Sequence, residues 1–181
     1  MRNVIIVAGH TNVPGLDRGA SSGKYIEGEL TVQFRDLIIN ELSKLGIKAK
    51  TDSNRNALAQ TLQWMKSLIN SKTIAVDIHW NAAGESANGT EMIIPDSASA
   101  FERQLANSIL KCFLDLGFRN RGVKPESNTA RKRLGWMRPN CENILIETCF
   151  ITSKSDMALY EANKSLLAKK IAKVIFDFCQ I

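Results

Sequence analysis

The sequence holds only two histidines, His10 and His79, and its four cysteines, Cys112, Cys141, Cys149 and Cys179, show no CxxC or CxH spacing. A zinc ribbon and a redox dithiol are therefore excluded as readable motifs, and the cysteines read as free buried thiols. Cys149 lies beside a candidate active-site strand, but a nucleophilic cysteine needs a histidine base and both histidines have another use. The first residues, MRNVIIVAGH, carry one arginine and an apolar run of only five, too short for a signal-peptide core or a membrane span. The chain is thus expected to be synthesised in the cytoplasm without a signal peptide, and not to insert into a membrane. No internal repeat, low-complexity tract or linker is visible, so one domain over 1–181 is expected.

With 181 residues and 44% hydrophobic side chains, the chain is long and apolar enough for a proper core. The net charge of +6 implies attraction to a polyanion, which nucleic acid, anionic lipid and anionic cell wall all satisfy. The densest basic stretch is Arg131-Lys132-Arg133, with Arg119, Arg121, Lys124 and Arg138 nearby. It reads equally as a solvated loop or as a surface for an acidic ligand.

Val4 to Val7 form a β-branched run that ends at Gly9 and predicts a buried strand over Asn3–Ala8. A turn-rich loop follows. From Glu29 to Leu45, apolar residues recur at helical spacing and Gly46 supplies a stop. A short strand is predicted over Ile47–Thr51, a second helix from Leu58 to about Asn70, and strands over Thr73–Ile78 and Thr90–Ile94, the last closed by Pro95. Phe101 to Leu116 traces a helix ending at Gly117, and Asn143–Phe150 a strand. Ser155–Phe178 is a closing helix with Ser155 as N-cap. Arg119–Asn140 lacks periodicity and reads as a long surface excursion, with one short strand near Leu134–Met137. Strands alternating with helices predict a single-domain α/β fold, a mostly parallel twisted sheet of about six strands covered on both faces. Sites in such sheets gather at the strand C-termini.

Each histidine lies immediately past a predicted strand, so both project from the same edge of the sheet. A lone histidine is usually structural; two at matching strand ends suggest a metal pair. A catalytic zinc takes three protein ligands and keeps a fourth position open, and either Glu27 or Glu29 can complete the set. Both sit at the start of the first helix, where acidic side chains are favoured by the helix dipole in any case. Glu147 stands in the apolar strand Ile144-Leu145-Ile146-Glu147-Thr148-Cys149-Phe150. An ionised carboxylate there is expensive unless it is paired or near a metal, and a raised pKa at a strand end suits a general base.

These residues fall in motifs through which nearly the whole chain resembles the zinc-dependent N-acetylmuramoyl-L-alanine amidases, in the branch that includes phage and prophage endolysins. The motifs are Val7-Ala8-Gly9-His10, Asp17-Arg18-Gly19-Ala20, Glu27-Gly28-Glu29-Leu30, Asp77-Ile78-His79-Trp80-Asn81-Ala82 and Gly89-Thr90-Glu91. Leu145-Ile146-Glu147-Thr148-Cys149-Phe150-Ile151, then Ser155-Asp156, close the series. The resemblance implies Zn2+ held by His10, Glu27 and His79, which selects Glu27 over Glu29, with Glu147 as catalytic base. It further implies cleavage of the amide between N-acetylmuramic acid and the stem-peptide L-alanine. Thr11, Asp77 and the lone Arg55 depart from the pattern, which commonly has Gly, Ser and an Arg-rich stretch there.

Bacterial peptidoglycan is then the expected partner, met by Asn81, by the basic loop through Arg131 and Arg133, and by Trp80 and Trp136 as flat surfaces. The two tryptophans read alternatively as core. A monomer without a separate cell-wall-binding domain is expected, acting on the wall after release or as a catalytic domain cut from a larger exported protein. Two alternatives stand beside it. A zinc carboxypeptidase or other metallopeptidase shares the two histidines, glutamate ligand and glutamate base. A basic nucleic-acid-binding domain explains the charge but neither Glu147 nor the paired histidines.

Overall fold

Alternation of buried β-branched runs with amphipathic helices produces a five-stranded sheet, of order β1-β4-β7-β5-β6. In the computed structural model, which describes residues 2–84 and 86–181, these strands are β1 (Val4–Ala8), β4 (Ile74–Asn81), β5 (Thr90–Ile94), β6 (Asn120–Pro125) and β7 (Glu142–Phe150). Strands β2 (Ser21–Ser22) and β3 (Tyr25–Ile26) form a separate small hairpin. Pairing is parallel for β1–β4, β4–β7 and β5–β6, and antiparallel for β5–β7. The sheet is thus mixed but mostly parallel.

Helices α1 (Glu27–Lys44), α3 (Ala100–Leu114) and α4 (Lys154–Cys179) cover one face. The buried stripe Leu30, Phe34, Ile38 and Leu42 seats α1 at the i, i+4 spacing of one helical face. Phe34, Trp80 and Tyr160 meet edge to face, with ring centroids 5.0–6.0 Å apart, fixing α1 and α4 against β4. Among the described residues, the other face carries only α2 (Leu58–Met65) and a 3-10 turn at Gly135–Met137, packed on Ile5, Val7, Ala75, Ile93 and Leu145. This thinner cover leaves a cleft over the C-terminal ends of β1, β4 and β7.

Helix α4 is tied to the site-bearing strands. Ser153 caps it by accepting from Asp156 N, and the Asp156 Oδ2 accepts from Gly89 N (2.8 Å) and Phe150 N (3.0 Å). One carboxylate therefore pins the start of β5 to the end of β7.

Several sequence expectations change. The cap of α4 is Ser153 rather than Ser155, because the turn after β7 closes through Ser153 N to Phe150 O. Of six expected strands, Ile47–Thr51 contributes only the single bridge Ile5–Lys50, since Asp52 and the turn after it end the pairing. Strand β6 lies within the supposed surface excursion and lacks apolar alternation because it is the sheet edge. Leu134–Met137 is a 3-10 turn, where Gly135 packs against Leu58 and Trp136 enters the core. Helix α2 stops at Met65, short of Asn70. Residue His79 belongs to β4 itself, which runs on to Asn81.

Candidate metal and catalytic centre

Neighbouring parallel strands β1 and β4 bring His10 and His79 together, with ring centroids 5.0 Å apart and the rings nearly perpendicular. Helix α1 inserts Glu27 between them. No side chain caps this helix; instead Glu27 N and Gly28 N donate to the carbonyls of Ala20 and Arg18, which seats the first turn on the preceding loop. The Glu27 Oε1 then lies 3.2 Å from His79 Nδ1 and 3.5 Å from His10 Nε2. Around a tetrahedral ion with bonds of about 2.0–2.1 Å, ligand atoms stand roughly 3.3 Å apart. The spacing and the two-imidazole, one-carboxylate donor set therefore both suit zinc.

One outer nitrogen is also held. His79 Nε2 meets Asp77 Oδ2 at 3.2 Å, whereas the exposed Asp17 Oδ1 lies 3.3 Å from His10 Nδ1 without hydrogen-bonding it. The Asp77 carboxylate behind His79 fixes which nitrogen faces the ion and raises ligand basicity. Glu27 is oriented in the same way, Oε2 accepting from Ala20 N (2.9 Å) and Oε1 from Trp80 N (3.0 Å). Two glycines make room: a Cβ on Gly9 would lie 2.1 Å from His79 Nε2, and one on Gly19 would lie 2.5 Å from Glu27 Oε2. Gly19 also has φ +68°, a conformation that favours glycine.

Charge follows these contacts. Burial works to raise the Glu27 pKa, but the hydrogen bond and charge of His79, with His10 and the Ala20 amide, bring it below the ordinary carboxylate value. Burial lowers His79, yet Asp77, Glu27 and Glu147 outweigh it and hold its pKa well above the usual imidazole value. A metal must therefore displace a proton to bind.

Glu147 pairs in register with His79 on one side and Glu91 on the other. It is half-buried in the cleft wall, and its Oε2 is inaccessible with no hydrogen-bond partner among the described residues. Burial pushes its pKa up to about 7, helped by Glu27, Glu91 and Asp77 and opposed by His79. A carboxylate of that basicity can exchange protons near neutrality. The cleft in which these groups meet has a volume of about 860 Å³.

Residues 4–177 match the family described as N-acetylmuramoyl-L-alanine amidase. The chain belongs to that family. It is 28% identical to the probable autolysin PH of Staphylococcus aureus over 96% of this chain, and spans 38% of that relative's length. Its fold matches the catalytic domain of the CD27L endolysin targeting Clostridia difficile (TM-score 0.78, 18% identity, 98% of each chain). It likewise matches the N-acetylmuramoyl-L-alanine amidase of Clostridium difficile 630 (TM-score 0.78, 20% identity, 99% of this chain and 97% of that one).

Within this amidase-family domain, His10, Glu27, His79 and Glu147 converge on one site. Glu29 does not join them, because it forms an ion pair with Arg18. Asn81 lines the cleft and donates to Glu91 Oε1 (3.2 Å). Arg131 and Arg133 are exposed on the same cleft. The two tryptophans are corrected: neither offers an open ring face. Trp80 is 3% exposed among Phe34 and Tyr160, and Trp136 is 1% exposed with Nε1 bonded to Ile144 O. Thr11 keeps a structural role, its hydroxyl bridging Asn54 O and Val13 N.

Asp77 and Asp17 gained no role from sequence. The i, i+2 spacing of Asp77 and His79 on a strand does place both on one face and was a usable signal; Asp17 reaches His10 through loop geometry that no periodicity reports. All four cysteines are free, and Cys149 is buried with its thiol pKa pushed well up by burial, so it is no nucleophile. Among the described residues, no helix is long and apolar enough to cross a membrane.

Proposed function

We propose that this chain is a zinc-dependent peptidoglycan hydrolase that cleaves the amide between N-acetylmuramic acid and the L-alanine of the stem peptide. In this reading residues 1–181 form one catalytic domain that acts on the cell wall. The observation that carries it is the convergence of His10 Nε2 and His79 Nδ1 on one Glu27 oxygen, 3.5 and 3.2 Å away, with Glu147 in register beside His79. When bound, zinc supplies Lewis acidity that polarises a carbonyl and makes water acidic enough to react near neutral pH.

The remaining work falls to side chains. Asp77 holds the His79 imidazole with Nδ1 inward, and the amides of Ala20 and Trp80 hold the Glu27 carboxylate. Glu147 takes the proton of the attacking water and delivers it to the departing L-alanine nitrogen, a shuttle matched to its pKa of about 7. Arg131 and Arg133, on the cleft wall, attract the acidic stem peptide. A nucleic-acid role leaves this arrangement without a purpose, since Glu27, Asp77, Glu91 and Glu147 all line the same cleft.

Metal content and amine release from purified peptidoglycan, measured on the wild type and on His79→Ala, test the proposal. About one zinc per chain, lost together with activity in the variant, and products separating sugar from L-alanine support it. Free C-terminal D-alanine would mark a carboxypeptidase instead, and a protein that neither binds zinc nor releases amines sinks the reading.

A further inference from the structure

The edge strand β6 departs from regular pairing beside the base. Thr90 is opposite Asn120, but Met92 is opposite Val123, so two steps on β5 match three on β6. The extra residue is accommodated at Gly122, which has φ +91°. In an uninterrupted strand, residues three apart point to opposite faces. The bulge instead turns both Arg121 and Lys124 to Glu91 Oε2, at 2.9 and 2.5 Å. Glu91 is itself directly opposite Glu147.

One carboxylate thus faces two cations, and a positive charge is left over at the edge of the catalytic cleft, which both Arg121 and Lys124 line. Arg121 spends only Nε on Glu91; among the described residues its two Nη groups have no hydrogen-bond partner. The guanidinium is nonetheless held in place, with Cζ 4.8 Å from the centroid of the Phe150 ring. A fixed fork of donors is a shape suited to a carboxylate, and its ordering cost is met before any ligand arrives.

The size of the anion is limited by the carboxylates that share the cleft. Glu27, Asp77 and Glu147 repel a polyanion but tolerate a single carboxylate at a distance. Its place along the substrate follows from the sheet. The scissile amide lies between Glu147 on β7 and His79 on β4, two and three strands from β6, roughly 10–14 Å, and the arginine reaches back toward β5. An anion bound there lies within about two extended residues of the scissile amide.

Resting on the amidase reading above, we propose that Arg121, with Lys124 beside it, is a carboxylate subsite that selects stem peptides whose second residue, next after the L-alanine, carries a free carboxylate rather than a carboxamide. The test compares two soluble N-acetylmuramoyl peptides that differ only in that group, using zinc-loaded wild type, Arg121→Gln and Arg121→Lys. Wild type is expected to prefer the free acid by roughly tenfold or more in kcat/KM, mostly through KM. Arg121→Gln should lose that preference by slowing the acid more than the amide, by about the factor that wild type shows between them. Arg121→Lys, which can still pair with Glu91, should keep the thermal midpoint and lose most of the preference. Equal hydrolysis of both peptides by wild type, equal slowing of both by Arg121→Gln, or full preference in Arg121→Lys overturns the subsite while leaving the amidase reading intact. If wild type cleaves neither peptide, both proposals fall.

Discussion

Glu27 and Glu147 are the same side chain in the same cleft, each adjoining His79, and their surroundings push them in opposite directions. Glu27 opens a helix, where the dipole favours negative charge, and its oxygens collect two backbone amides and two imidazoles. Its pKa falls below the ordinary carboxylate value in spite of burial. Glu147 sits within a strand whose amides serve the sheet, has an oxygen with no partner among the described residues, and lies directly opposite Glu91 of β5. Its pKa rises to about 7. Burial raises both, and the supply of donors decides which carboxylate nonetheless stays charged to hold a cation and which can give and take a proton.

The largest test of this contrast is turnover. Glu147→Gln should lower kcat by roughly 10²–10⁴-fold with zinc content unchanged, whereas Glu27→Gln should lose the zinc itself; retained hydrolysis in Glu147→Gln would end its role as base. Asp156→Ala should reach one glutamate and spare the other. It strips an acceptor from the amides of Gly89 and Phe150, costing about 3 kcal/mol in denaturant unfolding, and should slow turnover while the metal site keeps its ion.

The third test is pH-dependent stability of the metal-free protein. The folded pKa of Glu147, about 7, exceeds its ordinary value of 4.5, so the folded state binds this proton more tightly. Its stabilising contribution is present below pH 4.5 and is lost as pH rises through 7. Glu147→Gln should therefore stabilise the protein at pH 8, by no more than about 3 kcal/mol, and do little at pH 4. Glu27→Gln should destabilise at pH 8. The smallest effect is expected from Gly19→Ala, which crowds Glu27 Oε2 and strains a positive φ. It should cost about 1–2 kcal/mol and weaken zinc in chelator competition, with the pH dependence due to Glu147 unchanged.

Much of this contrast was legible in the sequence. A single acidic residue in the apolar run before Phe150 announced an expensive charge, and the two strand-end histidines announced a shared edge. Glu27 and Glu29 were not separable by periodicity, because both lie in the first helical turn; the motif separated them, and the Arg18–Glu29 ion pair shows where the other carboxylate goes. Strand β6 escaped notice for a physical reason. An edge strand carrying Arg121, Gly122 and Lys124 has no buried alternation to display, and a bulge erases what period remains. The ring positions of Trp80 and Trp136 depend on which face of a strand or turn meets the core, which composition alone does not fix.

The segment between β1 and α1 is the least regular part of the site, its only strands being two residues each. Beside its bonds to the first turn of α1 and to Asn54, it is tied to the site by His10, which meets Glu27 seventeen positions later (27 − 10), while His79 lies 52 positions beyond Glu27. A bound ion therefore closes two loops of chain at once, as a cross-link would in a protein whose cysteines are all free. The proposed reaction centre is in that sense also a clasp: amide hydrogens of residues 9–26 should exchange fastest when it is opened by a chelator, well before the three-helix face of the sheet loosens.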